Sequence, residues 1–349
     1  MTKKLFTVAA MQTELEAVQT KADIHKNLDL FTSFIDNVVP YMSMVTGAPC
    51  RLVAFPEFFI QGNDLSWTVA DWLERAITIP GEETEKLGKK ARQHNIYISG
   101  AAYVVEPEWP DRVFNEAFVI DPEGKIVLIY HKLATAKDVE VATAPFDMYD
   151  AYVKKYGDGL DDFFPVAETE IGRMGVMICY DGAFPEIGRG LAMNGAEIII
   201  RPTTWVEPIT SEPQNIWAVQ NQFHAFSNAC YVVAPNGGII TSRIMPKGVL
   251  TGNSMVVDYR GRILAQTKTT NESVVGAEIN IHNLRAVRRD CGFIAMLPHI
   301  QSELFSKIYE KPVWPKNCYL DKPGTVADNI QTRQKVIQQR KDMFVSPES

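Results

Sequence analysis

The chain has 349 residues, 46% of them apolar and 22% charged, a balance that excludes a disordered or fibrous protein and fits one large globular domain or two smaller ones. Its formal charge of -7 comes without a dense Lys/Arg block, which excludes an electrostatic nucleic-acid footprint and leaves small molecules as the expected partners. Five scattered cysteines (Cys50, Cys179, Cys230, Cys291, Cys318) include no CxxC pair, so neither a disulfide framework nor a cysteine zinc site is expected, and a reducing cytoplasm fits.

The N-terminus runs from Lys3-Lys4-Leu5-Phe6 straight into Val8-Ala9-Ala10-Met11, without a long apolar core or a small-residue cleavage pattern, and reads as a first strand. The longest apolar runs, 126–130 and 175–179, are strand-sized and far short of the ~20 residues that cross a bilayer. No membrane span is expected.

Short apolar runs bounded by turn residues predict strands over 6–11, 51–55, 97–105, 116–121, 126–131, 173–180, 196–201, 229–234, 254–258, 262–265 and 274–279. Between them, spaced apolar positions predict helices over 23–44, 81–94, 185–194 and 213–227. Strands interleaved with helices in this way indicate a layered α/β domain. One internal echo is visible: Asp121-Pro122-Glu123-Gly124-Lys125-Ile126 resembles Asp258-Tyr259-Arg260-Gly261-Arg262-Ile263. Aspartate bonds nearby backbone amides and glycine takes positive φ, so both read as hairpin turns. They suggest two matched sheets packed face to face with helices outside, or a coincidence of common turns.

Two segments read as additions to the core. Residues 143–164 mix aromatics with charge and are expected to form a pocket lid or a subunit contact. The chain from 311 onward carries Pro312, Pro315 and Pro323 and ends in a polar run, so a main domain over 1–310 is followed by an extension over 311–349, an oligomer arm or a disordered end.

Three residues carry the expected chemistry. Cys179 follows the apolar run Gly175-Val176-Met177-Ile178 and precedes a helix whose first turn accommodates Pro185, so a helix N-terminus is expected to lower the thiol pKa from its free value of about 8.5. A buried inert thiol is the alternative. Glu57 follows Leu52-Val53-Ala54-Phe55-Pro56 and precedes Phe58-Phe59; such surroundings raise a carboxyl pKa toward that of a general base and acid, whereas an exposed loop glutamate would do nothing. Lys132 ends Ile126-Val127-Leu128-Ile129-Tyr130-His131 and would neutralise an oxyanion, or simply cap a strand. His131 points away from Lys132 if both lie in a strand, so it is expected to pack rather than react.

The segments Phe55-Pro56-Glu57-Phe58-Phe59, Tyr130-His131-Lys132-Leu133 and Ile178-Cys179-Tyr180-Asp181-Gly182-Ala183-Phe184-Pro185-Glu186 resemble, in that order, the three signature regions of the nitrilase, or carbon–nitrogen hydrolase, superfamily. The resemblance spans about residues 5–290 and is nearest the aliphatic amidase and formamidase branch. It implies a four-layer αββα sandwich, a Glu57-Lys132-Cys179 triad, and homodimers or larger homo-oligomers. Glu140, eight residues after Lys132, matches the family's second glutamate. Tyr180 stands where nitrilases carry Trp, which lowers nitrile hydrolysis in rank. Ala134-Thr135-Ala136 departs from the aromatic residue that usually follows the lysine, which leaves substrate size open. Phe59, Tyr180, Asp181, Thr203 and Trp205 are the candidate substrate-binding residues, Trp205 being either a pocket wall or a core aromatic.

The expected reaction is hydrolysis of a small primary aliphatic amide to acid and ammonia through a cysteine thioester, with no metal or organic cofactor. N-carbamoyl hydrolysis, nitrile hydrolysis and a catalytically silent scaffold are the rivals. The sequence carries no Gly-x-Ser-x-Gly elbow, His-Glu-x-x-His helix, phosphate loop or dinucleotide fingerprint.

Overall fold

A computed structural model describes residues 5–206, 215–240, 249–293 and 295–344. Twelve strands alternate with helices: β1 (Leu5–Gln12), α1 (Lys21–Thr46), β2 (Cys50–Glu57), α2 (Val69–Arg75), α3 (Glu82–His94), β3 (Tyr97–Glu106), β4 (Trp109–Ile120), β5 (Ile126–His131), α4 (Tyr149–Tyr156), α5 (Leu160–Phe163), β6 (Val166–Thr169), β7 (Gly172–Val176), α6 (Pro185–Met193), β8 (Ile198–Ile200), α7 (Ile216–Asn228), β9 (Tyr231–Ala234), β10 (Met255–Val257), β11 (Ile263–Gln266), β12 (Ser273–Asn280) and α8 (Ile281–Asp290). Further on lie α9 (Ser302–Phe305) and α10 (Val326–Gln339). None of the described helices is long and apolar enough to cross a membrane.

The strands form two six-stranded sheets, ordered β12-β1-β2-β3-β4-β5 and β11-β10-β9-β8-β7-β6. In the first, β1, β2 and β3 run parallel and the remaining pairs antiparallel; in the second, β7, β8 and β9 do the same. The sheets therefore repeat one another, β1 to β5 answering to β7 to β11. The echo read in the sequence sits at equivalent places. Asp121 Oδ1 accepts the amides of Glu123 and Lys125 in the β4–β5 turn, and Asp258 Oδ1 accepts those of Arg260 and Arg262 in the β10–β11 turn. Gly124 and Gly261 follow at φ 77° and 78°, a conformation L side chains rarely adopt.

Burial on both faces of each sheet explains why the strand sequences are nearly continuous apolar runs. Val8, Ala10, Leu52 and Ala54 of one sheet meet Met174, Val176, Ile198, Ile200 and Val233 of the other. The alternate residues Ala9, Met11, Val53 and Phe55 face outward onto Ile24, Leu28, Phe31 and Ile35 of α1 and Leu87 and Ala91 of α3. On the far side Ile199, Val232 and Ala234 meet Ile187 and Leu191 of α6 and Trp217 and Ala225 of α7. The result is the expected αββα sandwich.

Some boundaries differ from the sequence reading. The strand expected over 173–180 stops at Val176, and Cys179–Ala183 is a 3₁₀ turn. β4 begins at Trp109 rather than 116, and β6, a four-residue edge strand, carries too little pattern to be seen in sequence. Pro213 and Gln214 of the expected helix 213–227 lie outside the described residues, and α7 begins at Ile216. Segment 143–164 folds into a 3₁₀ turn followed by α4 and α5. Part of the C-terminal extension docks on the same region: the amides of Asn317 and Tyr319 donate to the carbonyls of Phe146 and Asp147, and Lys137 lies over the Trp314 and Tyr319 rings.

Candidate active site

Glu57 ends β2, Lys132 follows β5, and the turn bearing Cys179 follows β7, so three strand ends from two sheets converge. All three side chains are buried, as is Glu140. Lys132 Nζ donates to Glu57 Oε1 at 2.9 Å and to Glu140 Oε1 and Oε2 at 2.8 and 2.7 Å. Asn115 Nδ2, on β4, bridges the two carboxylates at 2.7 Å from Glu57 Oε1 and 3.1 Å from Glu140 Oε1. The amide of Thr204 donates to Glu57 Oε2 at 3.0 Å, while the Thr204 carbonyl lies 3.9 Å from Cys179 Sγ. One residue thus touches both the carboxylate and the sulfur.

The Cys179 turn is held from below. Cys179 has φ 47°, the left-handed region that side chains other than glycine seldom occupy. Its carbonyl accepts Arg201 Nη2 and Nε at 2.7 and 3.1 Å, and the guanidinium is fixed by Gln220 and Asn221. Asp181 Oδ2 accepts the Ile178 amide and the Tyr130 hydroxyl, and Oδ1 accepts the Ala134 amide, so this carboxylate ties the Cys179 turn to the segment after Lys132. A Cβ on Gly182 would come within 2.1 Å of Arg201 Cζ, which explains glycine after Asp181.

Burial drives the Glu57 carboxyl above its usual range, with the Glu140 charge adding to it and the Lys132 ammonium opposing. Burial also works against ionised Glu140, but Lys132 and the amides of Ala136 and Asn115 outweigh it and hold that carboxyl low. Lys132 pays a desolvation cost too, yet the two carboxylates keep it charged well above the ordinary lysine value. Two adjacent carboxylates are therefore pushed apart, one fixed as an anion and the other readier to carry a proton.

The helix-dipole expectation for Cys179 fails. Burial pushes the thiol well up, the neighbouring Glu57 charge adds to it, and Lys132 only partly compensates. The helix beginning at Pro185 is separated from the sulfur by the 3₁₀ turn, and the Lys132 ammonium already faces two carboxylates. The resting side chain is a neutral thiol.

The other sequence candidates divide. Tyr180 and Trp205 are part-buried and pack against the inter-sheet core beside Cys179. Thr203 is buried with its hydroxyl on the Arg201 carbonyl, and Asp181 is spent on the turn itself. Phe59 lies elsewhere: it stacks on Phe55 at 4.7 Å in the layer under α1, because the chain turns over at Phe58 (φ 60°). Asn115, Thr204 and Tyr103, whose hydroxyl reaches Glu140 Oε1 at 3.4 Å, were not singled out in the sequence. An amide side chain flanked by Val113, Phe114 and Ala117 is the one local signal that marks Asn115.

Comparison with known proteins agrees with this fold. A formamidase of Bacillus cereus is 29% identical over 284 residues, covering 78% of this chain and 74% of that protein. A carbon-nitrogen hydrolase from Helicobacter pylori superposes with TM-score 0.68 at 19% identity, covering 88% of this chain and 99% of the other. A mutant of the amidase from Nesterenkonia sp. AN1, showing covalent addition of the acetamide moiety of fluoroacetamide at the active site cysteine, superposes with TM-score 0.62 at 21% identity, covering 86% and 96%. Residues 7–289 match the carbon-nitrogen hydrolase family, and the chain belongs to that family of enzymes.

Proposed function

We propose that the protein hydrolyses a small primary amide to a carboxylic acid and ammonia, with Cys179 as nucleophile, Glu57 as general base and acid, Lys132 as electrophilic support and Glu140 as the anion that keeps Lys132 charged and in place. The observation that carries the reading is the Lys132 ammonium bonded at once to Glu57 and Glu140. The formamidase relative and the acetamide-labelled cysteine of the Nesterenkonia amidase support an amide as substrate.

Because the thiol is neutral at rest, attack and deprotonation go together. As Sγ bonds to the amide carbon, its proton passes to the Glu57 carboxylate, and the carbonyl oxygen becomes an oxyanion held by Lys132 and the Tyr180 backbone N–H. The left-handed turn at Cys179 resembles other nucleophile elbows, in which strain exposes the attacking atom and the following N–H serves the oxyanion. Collapse breaks the C–N bond, and Glu57 returns the proton to the departing ammonia. Water then attacks the thioester, losing a proton to Glu57, and the acid leaves as that proton goes back to sulfur.

The test is ammonia release from formamide, acetamide, propionamide, nitriles and N-carbamoyl amino acids, by wild type and by Cys179→Ala. Turnover surviving in the variant ends the proposal. A thioester on Cys179, seen by mass spectrometry after rapid acid quench, is the expected covalent intermediate.

A homo-oligomer joined across an outer helical layer is the assembly we favour. Phe184, Met193, Val219, Phe223 and Phe226 expose between 41% and 57% of their surface on and beside α6 and α7. Light scattering on a sizing column decides this, and a monomer at micromolar concentration is the adverse result.

A further inference from the structure

On the face of the first sheet opposite Lys132 and Asn115 lies a second cluster that the amide chemistry does not use. Glu116 and His131 are directly paired across β4 and β5, one residue along from Asn115 and Lys132, so they point the other way. Glu106, at the end of β3, completes the group. His131 Nε2 lies 2.8 Å from Glu106 Oε1 and 3.6 Å from Glu116 Oε1, and one ligand atom from each of the three residues fits within a span of 4.8 Å. All three are buried, at 7%, 2% and 7% exposure for Glu106, Glu116 and His131, beside a cavity of about 450 Å³ walled by Ile79, Pro80, Tyr152, Lys155 and Tyr156.

The hydrogen bonds around the cluster assign its free valences. The Tyr152 hydroxyl lies 3.2 Å from the Asp162 carbonyl and 3.3 Å from His131 Nδ1; with its proton on the carbonyl, which can only accept, it acts toward Nδ1 as acceptor. In a neutral imidazole the proton then sits on Nδ1, and Nε2 presents a lone pair to the two carboxylates. Glu106 Oε2 is occupied by Lys155 Nζ and the Tyr156 hydroxyl, both at 2.5 Å, which leaves Oε1. Glu116 Oε1 is buried without a hydrogen-bond partner. An imidazole lone pair and two ionised carboxylates converging out of water repel one another unless a cation or a proton lies between them.

We propose that Glu106 Oε1, Glu116 Oε1 and His131 Nε2 bind a divalent transition-metal ion, with zinc the best match, whose fourth position opens to the cavity. A tetrahedral ion with ligands at about 2.1 Å separates them by roughly 3.4 Å, and the two measured spacings from Nε2 bracket that value. One imidazole with two carboxylates suits zinc or manganese rather than calcium, which takes six to eight oxygens. The Tyr152 hydroxyl on Nδ1 is the outer contact that metal-bound histidines require to fix ring orientation. In sequence the three residues are single and scattered, so no spacing motif announces them. The ion is placed behind the sheet, out of reach of the amide site, and takes no part in hydrolysis.

The competing arrangements hold no metal: an imidazolium donating from both nitrogens, or a neutral imidazole that accepts the Tyr152 proton at Nδ1 and donates from Nε2 to Glu106 Oε1. The full chain, stripped with EDTA and loaded with one equivalent of ZnCl₂, is passed over a sizing column and its zinc measured by mass spectrometry. The expected result is one zinc per chain in wild type and in Cys179→Ser, at least tenfold weaker retention in Glu116→Gln, and tighter retention in Lys155→Met, which removes the ammonium competing for Glu106. No retained zinc, retention unchanged by Glu116→Gln, or loss in Cys179→Ser overturns the site. Should Glu116→Gln fail to fold, Lys155→Met at a partly exposed position decides alone, and retention equal to or weaker than wild type refutes the proposal.

Discussion

Glu57 and Thr204 hold one another twice: the Thr204 amide donates to Glu57 Oε2 and its hydroxyl to the Glu57 backbone carbonyl, each at 3.0 Å. The first bond aims the carboxylate and the second fixes the strand end that carries it, so the base is positioned from the opposite sheet. Thr204→Val keeps shape and amide but removes the hydroxyl's bond to the carbonyl. A neutral hydrogen bond contributes about 0.5–1.5 kcal/mol, so kcat is expected to fall roughly 3- to 10-fold with KM little changed. Steady-state kinetics on the best amide decide it, and an unchanged kcat would remove Thr204 from the positioning of the base.

The raised Glu57 carboxyl makes a kinetic prediction. It must be ionised to take the thiol proton, so kcat/KM should rise with pH through a midpoint above the ordinary glutamate value of 4.5. Glu140 is one of the charges holding Glu57 up, and also the main attraction keeping Lys132 protonated. Glu140→Gln should therefore move the acid limb to lower pH while cutting kcat by about 10²-fold or more, because the ammonium loses its closest partner. A limb that stays put or moves up would show that Glu57 is not the titrating base.

How far the site was readable from sequence depends on where each contribution comes from. Glu57, Lys132 and Cys179 stood out because each ends an apolar strand, and the paired Asp-x-x-Gly turns exposed the doubled sheet because the side chain and the glycine form the turn locally. Thr204 acts partly through its backbone amide, which no side-chain pattern reports. Asn115 was hidden because Pro110 and two charged residues at the start of β4 mask the alternation that would have carried the strand past it. The thiol was misjudged because its protonation is set by Glu57 and by burial, neither of which is near Cys179 in the chain. Phe59 was misplaced because adjacency to Glu57 says nothing about the reversal at Phe58.

Arg201 offers a sharper test of preorganisation. Its guanidinium donates to the Cys179 carbonyl through two nitrogens, while Trp217 stacks at 4.6 Å from its Cζ. Burial pulls its pKa down to about 10, still high enough to stay charged at neutral pH. Arg201→Lys keeps the charge but cannot span the carbonyl, Gln220 and Asn221 together. A displaced nucleophile costs about 10²-fold in kcat, and alkylation of Cys179 by iodoacetamide should slow in parallel. Rates within twofold of wild type on both measures would mean that the turn holds itself.

The acid stability of the fold should depend on His224. Burial, reinforced by the nearby Arg201 charge, lowers its pKa from 6.5 to about 4, and its Nε2 lies 2.8 Å from the Gly182 carbonyl, consistent with N–H donation in the neutral form. Because the folded value lies below the unfolded one, the unfolded chain binds this proton first as pH falls. The stability is complete above about pH 6.5, drains away toward pH 4, and the loss from this one group amounts to about 3 kcal/mol. Carboxylates titrate over part of the same window, so the comparison must be between variants. His224→Gln retains an N–H for Gly182 and has nothing to protonate. Urea unfolding at several pH values between 4 and 7.5 should show the gap between the two proteins changing in favour of the variant as pH drops, and parallel curves would place the acid sensitivity elsewhere.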